Sequence, residues 1–153
     1  MNYWLFKTEP AELSIDDLRN KPDATACWDG IRNYQARNFL RDQVAVGDLV
    51  LIYHSSCKPV GIAGVAEVVR AAYPDPRQFV PGDVYFDPKS APDQPRWFNV
   101  DLRFNCKFEQ LLTLSQLKQI PALDNMVLLK QGRLSVQPVT AQEWQAIMLL
   151  NAS

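Results

Sequence analysis

One histidine, His54, is all the imidazole in this 153-residue chain, and only three cysteines accompany it. A metal centre needs three or four ligands at workable spacing, so none is expected. Cys27, Cys57 and Cys106 form no CxxC pair, and their odd number leaves at least one unpaired within the chain. That usage fits free thiols in a reducing compartment. Cys57 follows His54 by three positions, but nothing marks it as activated or supplies the orienting group of a thiol nucleophile. Glycine is scarce too, at six residues. Gly61-Ile62-Ala63-Gly64 lacks the spacing and the following Lys-Ser/Thr of a phosphate loop, so no nucleotide cofactor is expected. No long apolar run occurs. The N-terminal Met1–Pro10 stretch turns charged at Lys7, which predicts neither signal peptide nor membrane span, and hence a cytoplasmic protein with no membrane partner. Positive charge is not in excess, with 16 basic against 17 acidic residues. A protein that grips long nucleic acid through phosphates is usually strongly basic, so any nucleic-acid role must rest on a local pocket.

What is present suits a globular chain. Hydrophobic residues make up 47% and charged residues 22%, enough for one domain over 1–153 with its own core; a monomer is expected. Tyr3–Lys7 reads as a strand, and Ser14 with Asp17 as a weak capping box for a short helix. From Ile31 a helical wheel puts Ala36, Phe39, Leu40 and Val44 on one buried face, with Asn33, Arg37 and Arg41 along its flank and Tyr34 beside Arg41. Asp29 and Gly30 are the expected N-cap residues of that helix. Leu49–His54 is apolar on both faces, hence a central strand. The small residues of Gly61–Val69 predict a bend or close backbone approach. Residues 73–96 hold six of the eleven prolines and read as a long ordered loop anchored by Phe79, Tyr85 and Phe86. From 97 to 104 the chain alternates, with Trp97 on the polar side. A short helix is expected from Ser115, a strand over 132–139, and a terminal helix opened by the capping box of Thr140 and Glu143. The pattern is α+β, a small twisted barrel with a few short helices.

A helix start carrying Trp28 and Arg32 is a ready site for a planar, polar or anionic ligand. The competing reading makes Trp28 a core residue and pairs Arg32 with Asp29. His54 likewise reads as a satisfied structural residue at a strand end. Trp28, Tyr34, Tyr53 and Trp97 are aromatics next to polar groups, with Lys7, Arg32, Asn33, His54, Ser55 and Ser135 as neighbouring donors or acceptors. A stacking face plus edge-on hydrogen bonds is what a planar heterocycle needs. A second chemistry uses Lys7, near the Glu9 carboxylate and Thr8, as base and nucleophile in amide hydrolysis on an acylated nucleobase, although Thr8, the next strand residue, should face away from it.

Residues 28–41 (WDGIRNYQARNFLR), with 3–10 (YWLFKTEP), 53–55 (YHS), 73–76 (YPDP), 85–90 (YFDPKS), 95–98 (PRWF) and 133–139 (RLSVQPV), resemble the EVE domain family over nearly the whole chain. The resemblance implies a PUA-like fold, a small, strongly bent β-barrel with short peripheral helices. It also implies a pocket between barrel and helix that captures a modified nucleobase, such as methylated or hydroxymethylated cytosine, in DNA or RNA, without catalysis. Trp28, Asp29, Arg32 and Asn33 match the helix motif, Tyr53, His54 and Ser55 the Y-H-S segment, Trp97 the P-R-W segment, and Ser135 and Val136 the S-V-x-P-V segment. On this reading Trp28 and Trp97 stack; Asn33, His54 and Ser55 read the base edge; Lys7, Arg32 and Arg37 hold phosphate or the base carbonyl. The chain lacks the N-terminal extension of the nuclear relatives, so nuclear localisation is not expected to carry over.

Overall fold

The structure is a computed structural model that describes residues 1–152. In chain order it runs β1 (Tyr3–Thr8), α1 (Pro10–Leu13), α2 (Ile15–Arg19), β2 (Thr25–Trp28), α3 (Tyr34–Asp42), β3 (Leu49–His54), β4 (Gly61–Pro74), β5 (Phe98–Thr113), α4 (Leu114–Leu117), α5 (Val127–Lys130), β6 (Val136–Val139) and α6 (Ala141–Asn151). The six strands form one sheet in the order β2-β5-β4-β3-β1-β6. Only β1 with β3 is parallel; the other ladders are antiparallel. The class is α+β, as expected. No ladder joins the edge strands β2 and β6 among the described residues, so the sheet is bent and not closed by hydrogen bonds. No helix among those residues is long and apolar enough to cross a membrane.

Strand alternation places a separate core on each face of the sheet. Trp4, Phe6, Val50 and Ile52 join one buried cluster, which α2 and α3 complete through Ile15, Leu18, Ala36 and Leu40. Leu5, Leu51 and Tyr53 join the other, completed by Leu117, Leu123, Trp144 and Ile147. This explains the two apolar faces of 49–54: β3 lies between β4 and β1 and is covered on both sides. Gly61 and Gly64 supply the expected close approach. A Cβ on either would sit 2.3 Å from a carbonyl oxygen of β5, that of Leu112 or Cys106. The β4–β5 ladder also shifts register repeatedly, which increases its twist and bends it.

Two local expectations need correction. The helix begins at Tyr34 and not at Ile31, because Asn33 is the N-cap and accepts the Ala36 N–H at 2.9 Å. Asp29 and Gly30 instead belong to a bridge between β2 and α3, in which Gly30 has φ +73° and donates its N–H to Asp75. Trp28 therefore closes a strand, paired with Val100, and does not flank a helix start.

The proline-rich loop is ordered by buried polar groups more than by its aromatics. The Gln78 side chain is fully buried and makes four bonds: its amide nitrogen donates to the carbonyls of Asp75 and Trp97, and its oxygen accepts from the N–H groups of Arg96 and Trp97. The Trp97 indole donates to Asp87 at 2.7 Å. Phe86 remains partly exposed.

Candidate functional site

An open cavity of about 630 Å³ lies where the ends of β1, β2 and β3 meet the 77–85 loop and the turn before β6. That volume is in the range of small-molecule sites, roughly 300–1,000 Å³. Trp28 and Tyr85 supply aromatic wall, Ser55 and Ser135 hydroxyls, and Lys7, Arg77 and Arg133 positive charge. Glu9, Glu12 and Asp29 line it as well and offset those cations. Such balance disfavours a multiply charged anion and suits a neutral heterocycle carrying both donors and acceptors.

Trp28 fits both competing readings in part. It lines the cavity, yet only 6% of its surface is exposed, and its ring packs 6.1 Å from that of Phe6 in the core. It is a core residue that forms cavity wall. Asp29 is on the rim, 3.6 Å from Arg77, so the expected Asp29–Arg32 pair is replaced by two others. Arg32 turns inward to Asp75, whose carboxylate is fully buried, at 3.0 Å. Arg32 also donates to the carbonyls of Ile31 and Tyr85.

Lys7 lines the cavity, with its ammonium donating to the Gly132 carbonyl and lying 5.3 Å from the Tyr53 ring centre. Burial pulls its pKa below the ordinary lysine value. Thr8 lines the same cavity, contrary to strict alternation, because β1 ends there and the chain turns. Its hydroxyl donates to the Leu13 carbonyl at 2.8 Å. Ser55 and Ser135 complete the anticipated residues on the wall.

The other anticipated residues lie behind or beside the cavity. Tyr53 and Val136 are buried, on opposite faces of the sheet. Trp97 is 5% exposed and packs 4.8 Å from Tyr34, which is on the surface. Arg37 lies 4.9 Å from the Tyr34 ring centre and donates to the Arg96 carbonyl. Together these clamp the loop to α3. Asn33 is occupied as the N-cap and borders a separate shallow hollow.

His54 accepts the Ile15 N–H through Nε2 at 3.1 Å, which fastens the start of α2 to the end of β3. Burial disfavours the charged ring and lowers its pKa. A folded pKa below the unfolded value means that acid is taken up preferentially by the unfolded chain. Stability is therefore expected to hold above a pH of about 6.5 and to fall as pH drops from there through the lower folded value. Urea midpoints at pH 7.5 and 5.5 test this. His54→Gln should flatten the difference, and an unchanged slope would remove His54 as its source.

Tyr85 is the wall residue that sequence reasoning missed, having read it only as a loop anchor. Its ring stands against Gly30, where an added Cβ would come within 2.7 Å, and lies 5.1 Å from the Arg32 guanidinium carbon and 4.5 Å from that of Arg77. Arg77, Arg133 and Glu12 were also missed. They reach the cavity from segments far apart in sequence, and no local spacing links them. No cluster of three or more His, Cys, Asp or Glu side chains could hold a metal among the described residues.

Comparison with known proteins places the whole chain. A family model described as "EVE domain" matches residues 2–150. Human thymocyte nuclear protein 1 is 40% identical over a 166-position alignment that covers 97% of this chain and 73% of that protein. A crystal structure of human THYN1 protein in complex with DNA containing 5-methylcytosine superposes with a TM-score of 0.95 at 39% identity, covering 100% of this chain and 99% of that one. A crystal structure from Pseudomonas putida gives 0.92 at 48% identity, covering 97% and 99%.

Proposed function

The chain belongs to the EVE domain family, and from that premise we propose that it is a binding module that captures a modified nucleobase, with 5-methylcytosine in DNA as the first candidate. The observation that carries this reading is the aromatic, charge-balanced cavity at the end of β2. The human THYN1 protein found with 5-methylcytosine-containing DNA supports it from outside. Trp28 and Tyr85 form the flat wall, Lys7 and Arg133 face acceptor edges, and Asp29, Ser55 and Ser135 complete the polar contacts. Arg32, Asn33, Tyr34, Arg37, Tyr53, His54, Trp97 and Val136 hold these groups in place. Hydrolysis through Lys7 gains no specific support: the Thr8 hydroxyl donates to the Leu13 carbonyl, and no feature of the cavity favours an acyl substrate. The three cysteines are free, which accords with a reducing compartment; the cytoplasm is the proposed location.

Magnitudes set the size of the expected preference. Extruding a base costs a few kcal/mol, and one stack returns about 1–3 kcal/mol, so the polar contacts must supply net affinity. A buried methyl adds about 0.8 kcal/mol, or roughly a fourfold preference. Fluorescence anisotropy with otherwise identical oligonucleotides should show at least that preference for 5-methylcytosine over cytosine. Indistinguishable curves would refute modified-base capture.

A further inference from the structure

Val84 is 82% exposed and nevertheless lines the cavity, so it stands at the mouth. Both of its neighbours are pinned. The Asp83 carboxylate receives Arg77 Nε at 3.0 and 3.2 Å and the Tyr85 N–H at 2.8 Å. The Tyr85 carbonyl accepts from Arg32 Nε and Nη2 at 3.3 and 3.0 Å, and the Tyr85 ring is packed against Gly30. A solitary exposed valine is ordinary. This one lies in the 83–86 turn with Phe86, 38% exposed, directly after the 80–83 turn that begins at Val80, 49% exposed, and is presented to water by a segment held on both sides.

We propose that Val84 is a wedge that enters the base stack of duplex DNA in place of the nucleobase drawn into the cavity. The proposal rests on the base-capture reading above. A paired base can reach a walled cavity only by leaving the stack, and its departure opens a gap beside an orphaned partner. Apolar side chains inserted between base steps fill such gaps. Val84 occupies the position from which that gap is reached, on the lip of the space that receives the base. Arg77, which lines the same cavity, brings positive charge to the rim that a duplex would meet. A single strand has no such gap, so the wedge acts on the duplex alone.

The test compares a 5-methylcytosine oligonucleotide and its cytosine counterpart, each free and annealed to its complement, against the wild-type chain and Val84→Ser. The duplex-to-single-strand affinity ratio is expected to fall about tenfold in Val84→Ser, the scale of one lost stacking contact. Val84→Leu, which keeps the apolar bulk, should restore it. A ratio unchanged by Val84→Ser, including an equal loss in both forms, overturns the wedge while leaving base capture intact. Failure of the wild-type chain to separate 5-methylcytosine from cytosine in either form removes base capture, and the wedge with it.

Discussion

Asp75→Ala is expected to lower stability by about 3–5 kcal/mol, the cost typical of breaking a buried ion pair from one side. The Asp75 carboxylate is fully buried and accepts three bonds, from the Gly30 N–H at 3.1 Å, Arg32 Nη1 at 3.0 Å and the Arg77 N–H at 2.9 Å. Alanine would leave the guanidinium without its counter-charge and two backbone donors without their acceptor. For a chain of this size the melting temperature should fall by roughly 10 °C. The loss should spread to function, because the same contacts position Gly30 and Arg32, and these two flank the Tyr85 ring. Urea denaturation measures the first effect, and binding at a temperature where the variant is folded measures the second. The double change Asp75→Leu with Arg32→Met should recover part of the stability, since no charge is then stranded. A melting shift of only a degree or two in Asp75→Ala would show that the pair is not the fastening described.

Trp28→Ala should cost about 3–5 kcal/mol as a large-to-small change in a core. It should also remove base binding from whatever fraction folds. Two effects in one variant are hard to apportion, so Trp28→Phe is the informative companion. Phenylalanine keeps an aromatic against Phe6 with less volume, so most stability should survive while the smaller wall weakens binding. Stability in Trp28→Ala equal to wild type would contradict the packing of Trp28 with Phe6. Normal binding by Trp28→Ala would take the indole out of the cavity's chemistry.

The parts of this fold that could be read in advance are those decided within a few residues. Ser14 with Asp17, and Thr140 with Glu143, are reciprocal capping boxes in the structure. The two-sided apolar pattern of 49–54 and the crowded glycines of β4 were legible for the same reason. The position of α3 was not, because Asp29, Gly30 and Asn33 are all competent caps locally. The choice falls on Asn33 because Asp75, 45 residues along from Gly30, draws the Gly30 N–H into a different contact. Strand β2 was hidden because Thr25–Trp28 has no periodicity of its own and becomes a strand by pairing with β5. Trp97 falls among polar residues by alternation, yet it is covered by the loop that precedes it and by Tyr34 of α3. The cavity was half legible: Lys7, Trp28, Asp29, Ser55 and Ser135 could be proposed from motif and resemblance. Tyr85 could not, since its place depends on a glycine 55 positions earlier.

Strand β1 lies inside the sheet, with residues 49–54 on one side and 136–139 on the other. During vectorial synthesis, residues 3–8 leave the ribosome before either neighbour, and their second flank stays open until nearly the whole chain is out. The Lys7 N–H then bonds to the Ser135 carbonyl and its ammonium to the Gly132 carbonyl, bonds that span more than 120 residues. A nascent chain stalled before that point has an incomplete sheet edge, exposed to misassociation. It also lacks the cavity wall that Gly132, Arg133 and Ser135 supply, so a prematurely terminated product carries an incomplete cavity as well as an open sheet edge.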